Sequence, residues 1–205
     1  MYQIAALNKI SPKGLKKLGD KYAMTEDMNA ADGILVRSHD MLTMEFSPQL
    51  LAIARAGAGV NNIPLDRCAE EGIVVFNTPG ANANAVKELV LTAMLAEARN
   101  LYDGMHWVHK LATKGDPGEL GLAKAVEKGK GQFAGREIAG KKICVIGLGA
   151  IGVLVANACE ALGMDVVGYA PFMTIRAAHD MSSTVPYTTD LDSAIGDCDY
   201  VTVHV

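Results

Sequence analysis

The stretch that decides the fold lies at residues 143–152 and reads ICVIGLGAIG. Its first four residues, Ile143–Ile146, have the apolar character of a buried strand, and Gly147–Gly152 matches the pattern G-x-G-x-x-G. An apolar helical segment, Val153–Leu162, follows. In this context the glycines permit a tight turn and a close approach of the backbone to a pyrophosphate, which the helix N-terminus favours. We therefore predict a dinucleotide-binding turn, with a purely structural turn as the alternative.

The residue that usually accompanies such a turn is missing. An acidic side chain about 20 residues further on normally holds the ribose hydroxyls. Here the next predicted strand, Val166–Tyr169, is followed by Ala170 and Pro171. Because Ala170 cannot accept a hydrogen bond through its side chain, we expect weak discrimination between NAD and NADP. Arg176 could approach a 2′-phosphate, and an ordinary surface arginine is the alternative interpretation.

The rest of the chain alternates short apolar runs with helix-like segments. Further strands are predicted at Ile4–Leu7, Gly33–Val36, Ile53–Ala56, Ile73–Phe76, Val185–Tyr187 and Tyr200–Val205. Helices are predicted at Pro48–Ala52, Pro64–Glu71 and from Ala83 to about Asn100. Residues 111–131 contain two loop-like clusters, Thr113–Gly118 and Lys128–Gly131. Repeated strand–helix alternation with apolar strands predicts parallel sheets that are covered by helices on both faces.

Two arginines and a second glycine-rich turn indicate an anion site in the first part of the chain. Arg37 and Arg55 follow or end adjacent predicted strands, so both should lie at the carboxyl edge of the sheet, where α/β proteins bind ligands. The turn Arg55–Asn62 could hold a carboxylate with its backbone N–H groups. Two guanidinium groups suit a phosphorylated anion. Surface ion pairs and an ordinary turn are the alternatives.

Composition argues against several other classes of protein. The net charge is −4 and no basic stripe is visible, so neither nucleic acid nor an anionic membrane is expected as a partner. His106 and His109 lack an accompanying set of ligands, and the cysteines form no C-x-x-C pair, so no metal site or disulfide framework is expected. Because no signal peptide and no apolar run of roughly 20 residues is visible, we expect a cytoplasmic protein.

Several motifs occur in the order found in the D-isomer-specific 2-hydroxyacid dehydrogenases, and the chain resembles this family along nearly its whole length. The motifs are Val36-Arg37-Ser38, Arg55–Asn62, Asn77-Thr78-Pro79, Gln132–Gly135, Gly147–Gly152 and Asp199–Val205. The resemblance implies an NAD-dependent oxidoreductase with an α/β fold of two Rossmann-like domains. It is strongest to the members that oxidise 3-phosphoglycerate at its 2-hydroxyl for serine biosynthesis.

The resemblance also implies domain limits and site residues. It implies an incomplete flavodoxin-like substrate domain at residues 1–95 and an incomplete NAD-binding domain at residues 96–205, in which segment 101–135 forms a homodimer or a higher homo-oligomer. Substrate contacts are implied for Arg37, Ser38, Arg55 and the backbone of Ala58, Gly59 and Val60. Cofactor contacts are implied for Thr78, Gly147, Gly149, Ala150, Ile151, Gly152, Tyr169, Ala170, Pro171, His204 and Val205.

Two departures from the family pattern bear on function. Ala170 stands where the family usually has Asp. No residue matches the motifs of the family's catalytic Arg, Glu and His, and the segment that completes the first domain is also missing, so we expect a fragment without catalytic residues. The alternative function is a non-catalytic module that binds a nicotinamide cofactor, as in the family's transcriptional corepressors.

Overall fold

The computed structural model describes residues 1–113 and 121–205. The chain forms two compact units, Met1–Asn82 and Ala83–Val205, and each has its own parallel sheet and hydrophobic core. The family resemblance implied a boundary after residue 95, whereas the division into these two compact units precedes the helix Ala83–Ala98. The reason is that Met94 and Ala98 of this helix are buried in the core of the second unit.

The first unit contains a five-stranded sheet and two short α-helices. The strands are β1 (Tyr2–Ala6), β2 (Tyr22–Thr25), β3 (Gly33–Val36), β4 (Ala52–Arg55) and β5 (Val74–Phe76), and the helices are α1 (Pro12–Leu15) and α2 (Leu65–Glu70). The strand order is β2-β1-β3-β4-β5. This is the flavodoxin-like order, in which the direction of the connections reverses between β1 and β3. Ligands of such sheets bind at the carboxyl edge beside that reversal.

Two segments of the first unit differ from the sequence prediction. Strand β2 was not predicted from the sequence. It lies at the edge of the sheet, and its residues alternate between exposed and half-buried, so it lacks the continuous apolar run of a central strand. Of the segment predicted as a helix, Pro48–Ala52, residues 48–51 form a turn that leads into β4, and Ala52 is the first residue of that strand. The side chains of Ser47 and Gln49 donate hydrogen bonds to the carbonyl oxygen of Asn29, and Leu50 is buried in the core. These contacts hold the segment in a non-helical path.

The second unit contains a four-stranded sheet with longer helices. The strands are β6 (Lys142–Ile146), β7 (Asp165–Tyr169), β8 (Tyr187–Thr188) and β9 (Tyr200–Val203). The helices are α3 (Ala83–Ala98), α4 (Leu101–Thr113), α5 (Gly121–Gly129), α6 (Gly152–Ala161), α7 (Ile175–Asp180) and α8 (Leu191–Ile195). The order β8-β7-β6-β9 matches the first four strands of the Rossmann order 3-2-1-4-5-6. The predicted fold class, with two parallel sheets, is thereby confirmed.

Part of the region predicted as loop-like is helical. Helix α4 continues to Thr113, and α5 includes Lys128 and Gly129. The ring of Trp107 packs 5.3 Å from that of Phe133, and a Cβ added to Gly129 would lie 2.5 Å from Trp107. A glycine can therefore close α5 because its missing side chain makes room for the indole. Residues 114–118 of the first predicted loop lie outside the described residues.

The four cysteines are free thiols that differ in burial. Cys68, Cys144 and Cys159 are completely buried, whereas Cys198 is partly exposed. Burial raises the pKa of Cys159 from its ordinary 9.0 to about 11, and it also raises the pKa of Cys68 and Cys144. A buried thiol of this kind behaves as a small core residue.

We predict that iodoacetamide at about pH 8 modifies Cys198 before the other three thiols, because it is the one that is partly exposed. Burial raises the pKa of Cys198 as well, so access to the thiol gives the order of reaction. Because the pKa of Cys159 is higher in the folded state, the protonated thiol contributes to the free energy of unfolding in full below pH 9.0. This contribution is lost as the pH rises to about 11. Peptide mass spectrometry and denaturant titrations at several pH values measure both effects. Equal labelling of all four thiols in the folded chain would contradict the prediction.

Candidate functional site

The glycine-rich turn joins β6 to α6 at the carboxyl edge of the second sheet. Gly147 has a φ of +91°, and its N–H donates to the carbonyl oxygen of Tyr169 at 2.8 Å. A Cβ on Gly147 would lie 2.6 Å from the carbonyl oxygen of His204, and one on Gly152 would lie 1.8 Å from the carbonyl oxygen of Gly147. Packing within the unit therefore requires glycine at both positions.

Gly149, the central glycine of the turn, is free of such contacts. A Cβ added to it would meet no atom of the described residues within 4 Å, and the residue is exposed. Packing thus gives no reason for a glycine here, whereas the approach of a ligand to the backbone does. The first N–H groups of a helix have no acceptor within that helix, so the N-terminus of α6 can receive a pyrophosphate beside Gly149. The turn fits a dinucleotide.

The structure brings the other predicted cofactor residues of the second unit to the same edge. His204 follows β9, and its N–H donates to the carbonyl oxygen of Ile146 at 2.7 Å. Its Nε2 lies 2.9 Å from Thr202 Oγ1, and burial lowers the pKa of His204, so the imidazole is neutral at neutral pH. The remaining members of the group lie at or shortly after the carboxyl ends of the strands: Ala150 and Ile151 in the turn after β6, Tyr169 at the end of β7, Ala170 and Pro171 directly after it, and Val205 after His204.

Ala170 lies immediately after β7, at the position where an acidic side chain is usual. Its N–H donates to the carbonyl oxygen of Thr188 at 3.1 Å, and the residue is 3% exposed. The methyl group belongs to the core of the second unit. Arg176 is not directed to this position, because its Nε lies 3.5 Å from Asp180 Oδ2 in an exposed ion pair on α7. The surface interpretation of Arg176 is the one that the geometry supports.

The first unit has a cavity of about 540 Å³ at the carboxyl edge of its own sheet. Segments that follow β1, β3, β4 and β5 form its walls, and the lining residues are Lys9, Ile10, Ser11, Pro12, Arg37, Ala56, Gly57, Thr78, Ala81 and Asn82. Thr78, which the resemblance assigned to the cofactor, lies in this wall. Its N–H donates to the carbonyl oxygen of Gly57 at 2.9 Å, and its Oγ1 donates to that of Arg55 at 3.2 Å.

Arg55 ends β4 and is half-buried beside the second glycine-rich turn. A Cβ on Gly57 would lie 2.6 Å from Arg55 Nη1, and one on Gly59 would lie 3.7 Å from it, so the guanidinium group covers the backbone of the turn. Arg55 Nε donates to Asn62 Oδ1 at 3.0 Å. The turn itself is held by Asn77, whose Nδ2 donates to the carbonyl oxygen of Ala58 at 2.7 Å. Val60 lies near the end of the turn, and its carbonyl oxygen accepts the N–H of Ile63 at 3.0 Å.

Sequence reasoning missed Lys9 and Asn8. Lys9 adds a third cationic side chain to this edge of the sheet, and Asn8 Oδ1 accepts the N–H of Ser38 at 3.0 Å. Ser38 is exposed, and neither it nor Arg55, Ala58, Gly59 or Val60 is among the residues that line the cavity, so Arg37 is the predicted substrate residue in its wall. Both missed residues follow the apolar run Ile4–Leu7 directly. The carboxyl-edge argument that selected the two arginines would have selected them as well.

The described residues hold no group of three or more His, Cys, Asp and Glu side chains that could bind a metal ion. His106 instead stacks on Tyr102, with ring centroids 6.3 Å apart. Within the described part of the chain, no helix combines the length and the apolar character that crossing a membrane requires.

Helices α4 and α5 form an apolar surface in the second unit. An open cavity of about 660 Å³ lies along α4, whose Trp107 and Val108 line it together with Val126 of α5 and with Phe133, which follows α5. On α4, the side chains of Tyr102 and Met105 are 78% and 72% exposed. Large apolar side chains that remain exposed together mark surfaces for association.

Comparison with known proteins identifies relatives for most of the chain. The family model described as D-isomer specific 2-hydroxyacid dehydrogenase, catalytic domain, matches residues 10–189. The D-3-phosphoglycerate dehydrogenase of Methanocaldococcus jannaschii is 34% identical over 188 residues, which are 90% of this chain and 33% of the relative. The chain thus spans about a third of the length of the phosphoglycerate dehydrogenases that it matches.

Two solved structures extend the comparison. The NAD⁺-bound 3-phosphoglycerate dehydrogenase of Entamoeba histolytica has a TM-score of 0.67 and 25% identity, covering 100% of this chain and 62% of its own. An NADPH-dependent glyoxylate/hydroxypyruvate reductase of Sinorhizobium meliloti, in complex with NADP and malonate, has a TM-score of 0.73, 22% identity and the same coverage. The second similarity supports the fold alone. Because the family model matches most of its length, the chain belongs to the D-isomer specific 2-hydroxyacid dehydrogenase family.

Proposed function

We propose that the chain carries substrate- and cofactor-binding parts of an NAD-dependent dehydrogenase that oxidises the 2-hydroxyl of 3-phosphoglycerate. The observation that carries this proposal is the open space beside Gly149 at the N-terminus of α6, next to two glycines that packing requires. The sequence similarity to D-3-phosphoglycerate dehydrogenases supports the choice of substrate.

The residues of the second unit would bind and orient the cofactor. When bound, the nicotinamide supplies the acceptor for the hydride that leaves C2 of the substrate. Gly149, Ala150 and Ile151 would receive the pyrophosphate at the helix N-terminus, and the ends of β7 and β9 would form the walls of the site. Because burial keeps the imidazole of His204 neutral, it adds no positive charge beside the cofactor.

The residues of the first unit would bind the phosphorylated acid. Lys9 and Arg37 bring two positive charges to the wall of the cavity, and Arg55 adds a guanidinium group over the glycine turn. Guanidinium groups bind phosphate and carboxylate with paired hydrogen bonds, and successive backbone N–H groups of a turn hold a carboxylate. We assign the carboxylate to the backbone of Ala58–Val60 and the phosphate to the cationic side chains.

The apolar surface of α4 and α5 would join two copies of the chain. Tyr102 and Met105 are exposed beside an apolar cavity, and they lie in segment 101–135, which the family resemblance assigns to dimerisation. We therefore propose a homodimer, in which this surface is buried.

We predict that Gly149→Ala weakens NAD binding at least tenfold, or about 1.4 kcal/mol, while the melting temperature stays unchanged. The added methyl meets no described protein atom but occupies the approach to the backbone. Gly152→Ala should instead destabilise the fold by about 1–3 kcal/mol, because its Cβ overlaps the carbonyl oxygen of Gly147. Gly19→Ala, at another open position, is the control for both measurements. Unchanged NAD affinity in Gly149→Ala, measured by fluorescence titration, would argue for a purely structural turn.

The substrate assignment predicts a selective loss of affinity on removal of either arginine. Arg37→Ala and Arg55→Ala should each weaken 3-phosphoglycerate by roughly ten- to hundredfold, since a hydrogen bond to a charged group is worth about 1.5–3 kcal/mol. D-glycerate, which lacks the phosphate, should lose much less. Calorimetric titration with both ligands measures the difference, and Lys17→Ala, at an exposed position outside the cavity lining, controls for net charge. Equal losses for the two ligands would mean that the arginines do not bind the phosphate.

We further predict that Ala170→Asp raises the preference for NAD over NADP. The new carboxylate would accept hydrogen bonds from the ribose, worth roughly 1.5–3 kcal/mol, and repel a 2′-phosphate. Ala170→Asn matches the size of the acid without its charge, so it should change the preference less. Because Ala170 is buried, thermal unfolding of each variant has to accompany the cofactor titrations. An unchanged affinity ratio in a folded Ala170→Asp variant would show that this position does not face the ribose.

A further inference from the structure

Asn62 joins Arg55 to the segment that follows β3. Its Oδ1 accepts a hydrogen bond from Arg55 Nε at 3.0 Å, and its Nδ2 donates to the carbonyl oxygen of His39 at 2.7 Å. A single amide side chain thus bonds the guanidinium group on one side and the backbone of the Arg37-Ser38-His39 segment on the other.

Asn8 holds the same segment from the end of β1. Its Oδ1 accepts the backbone N–H groups of Arg37, Ser38 and His39 at 2.8, 3.0 and 3.1 Å. Three successive N–H groups that converge on one point form a concave site of the kind that binds anions. Here a side-chain oxygen of the protein occupies that point, so the backbone from which Arg37 projects is held in one conformation.

The bond at Nε determines how Arg55 can meet a ligand. Guanidinium groups present five N–H donors in a planar fork, and the bond to Asn62 uses only the one at Nε. The terminal nitrogens remain for an anion, while Nη1 rests over Gly57, whose missing side chain leaves the space for it. Fixing a long side chain before the ligand arrives lowers the entropic cost of binding.

The hydrogen-bond partner of Arg55 Nε is an uncharged amide, and this affects the charge of the anion site. An amide oxygen accepts the hydrogen bond without carrying charge, whereas a carboxylate at the same place would form an ion pair and reduce the positive potential of the cavity. Asn62 can therefore orient the arginine and leave its full charge for an anion.

We propose that Asn62 is a positioning residue of this anion site. It holds the guanidinium group of Arg55 in the orientation that receives the anion. Its second hydrogen bond, to His39, connects Arg55 to the segment that carries Arg37. Asn8 holds that same segment from the end of β1. The proposal rests on the function proposed above, in which the anion is a phosphorylated 2-hydroxy acid.

A double-mutant cycle on the 205-residue chain tests the proposal. Asn62→Ala should weaken 3-phosphoglycerate roughly tenfold, because an arginine that is no longer held loses part of its hydrogen bonding to the ligand. In the Arg55→Ala background the same substitution should have almost no further effect, since residues that act through each other are not additive. Asn84→Ala, an exposed position on α3, is the matched control. Equal losses in both backgrounds would overturn the proposal.

The Nε–H resonance of Arg55 supplies a readout that a general loss of stability does not produce. In ¹⁵N-labelled chain near neutral pH, this resonance should be protected from exchange in the wild type and in Asn62→Asp, which keeps the acceptor oxygen. It should be lost in a folded Asn62→Ala variant. A protected resonance in Asn62→Ala would overturn the proposal.

The two kinds of failure are distinguishable. If Arg55→Ala binds 3-phosphoglycerate as well as the wild type, the proposed function of the cavity fails, and the Nε–H resonance then decides by itself whether Asn62 orients the arginine. If Arg55→Ala weakens the ligand but Asn62→Ala does not, the proposed function stands and the positioning role of Asn62 is overturned.

Discussion

The close approach of Gly152 to the carbonyl oxygen of Gly147 is the contact on which the second unit depends. With no side chain at either position, the chain reverses directly from β6 into α6, and the helix packs on the sheet with Val155, Ala156 and Cys159 fully buried. The same reversal sets the helix N-terminus at the carboxyl edge of the sheet. One steric constraint therefore determines both the packing of the core and the location of the candidate dinucleotide site, because protein interiors have no spare volume in which the helix could shift.

The first unit also has its candidate ligand site at the carboxyl edge of its sheet, but side-chain hydrogen bonds rather than a glycine contact hold it in shape. Its cavity lies at the carboxyl edge because parallel strands expose their loops there, and β1, β3, β4 and β5 each contribute a segment to the wall. Lysine and arginine side chains supply the positive charge, and neutral amide side chains hold the arginines and their backbone in place. Asn8 accepts three backbone N–H groups, and Asn62 bonds one backbone carbonyl oxygen and Arg55 Nε. Neither residue introduces a negative charge. An anion site benefits from this combination, since a carboxylate would orient the arginine and partly neutralise it.

The sequence predictions succeeded where apolar runs were continuous. Central strands such as Gly33–Val36 and Lys142–Ile146 are buried on both faces, so composition alone reveals them. Edge strand β2 has an alternating, half-exposed pattern over only four residues, and it was missed. The segment 48–52 was predicted as a helix, but residues 48–51 form a turn before β4, because hydrogen bonds to Asn29, some twenty positions earlier in the chain, hold it. Such distant partners leave no local trace in the sequence.

The sequence by itself determined that this protein has two parallel α/β sheets, a glycine-rich turn at Gly147–Gly152, and Arg37 and Arg55 at one sheet edge, since spacing and residue type are enough to establish each of these features. Only the tertiary structure decided which glycines packing requires and that Gly149 is the one left open to a ligand. It also decided that Ala83–Ala98 belongs to the second core and that Asn62 holds Arg55. These features depend on distances between residues that are remote in sequence, and such distances exist only once the chain has folded.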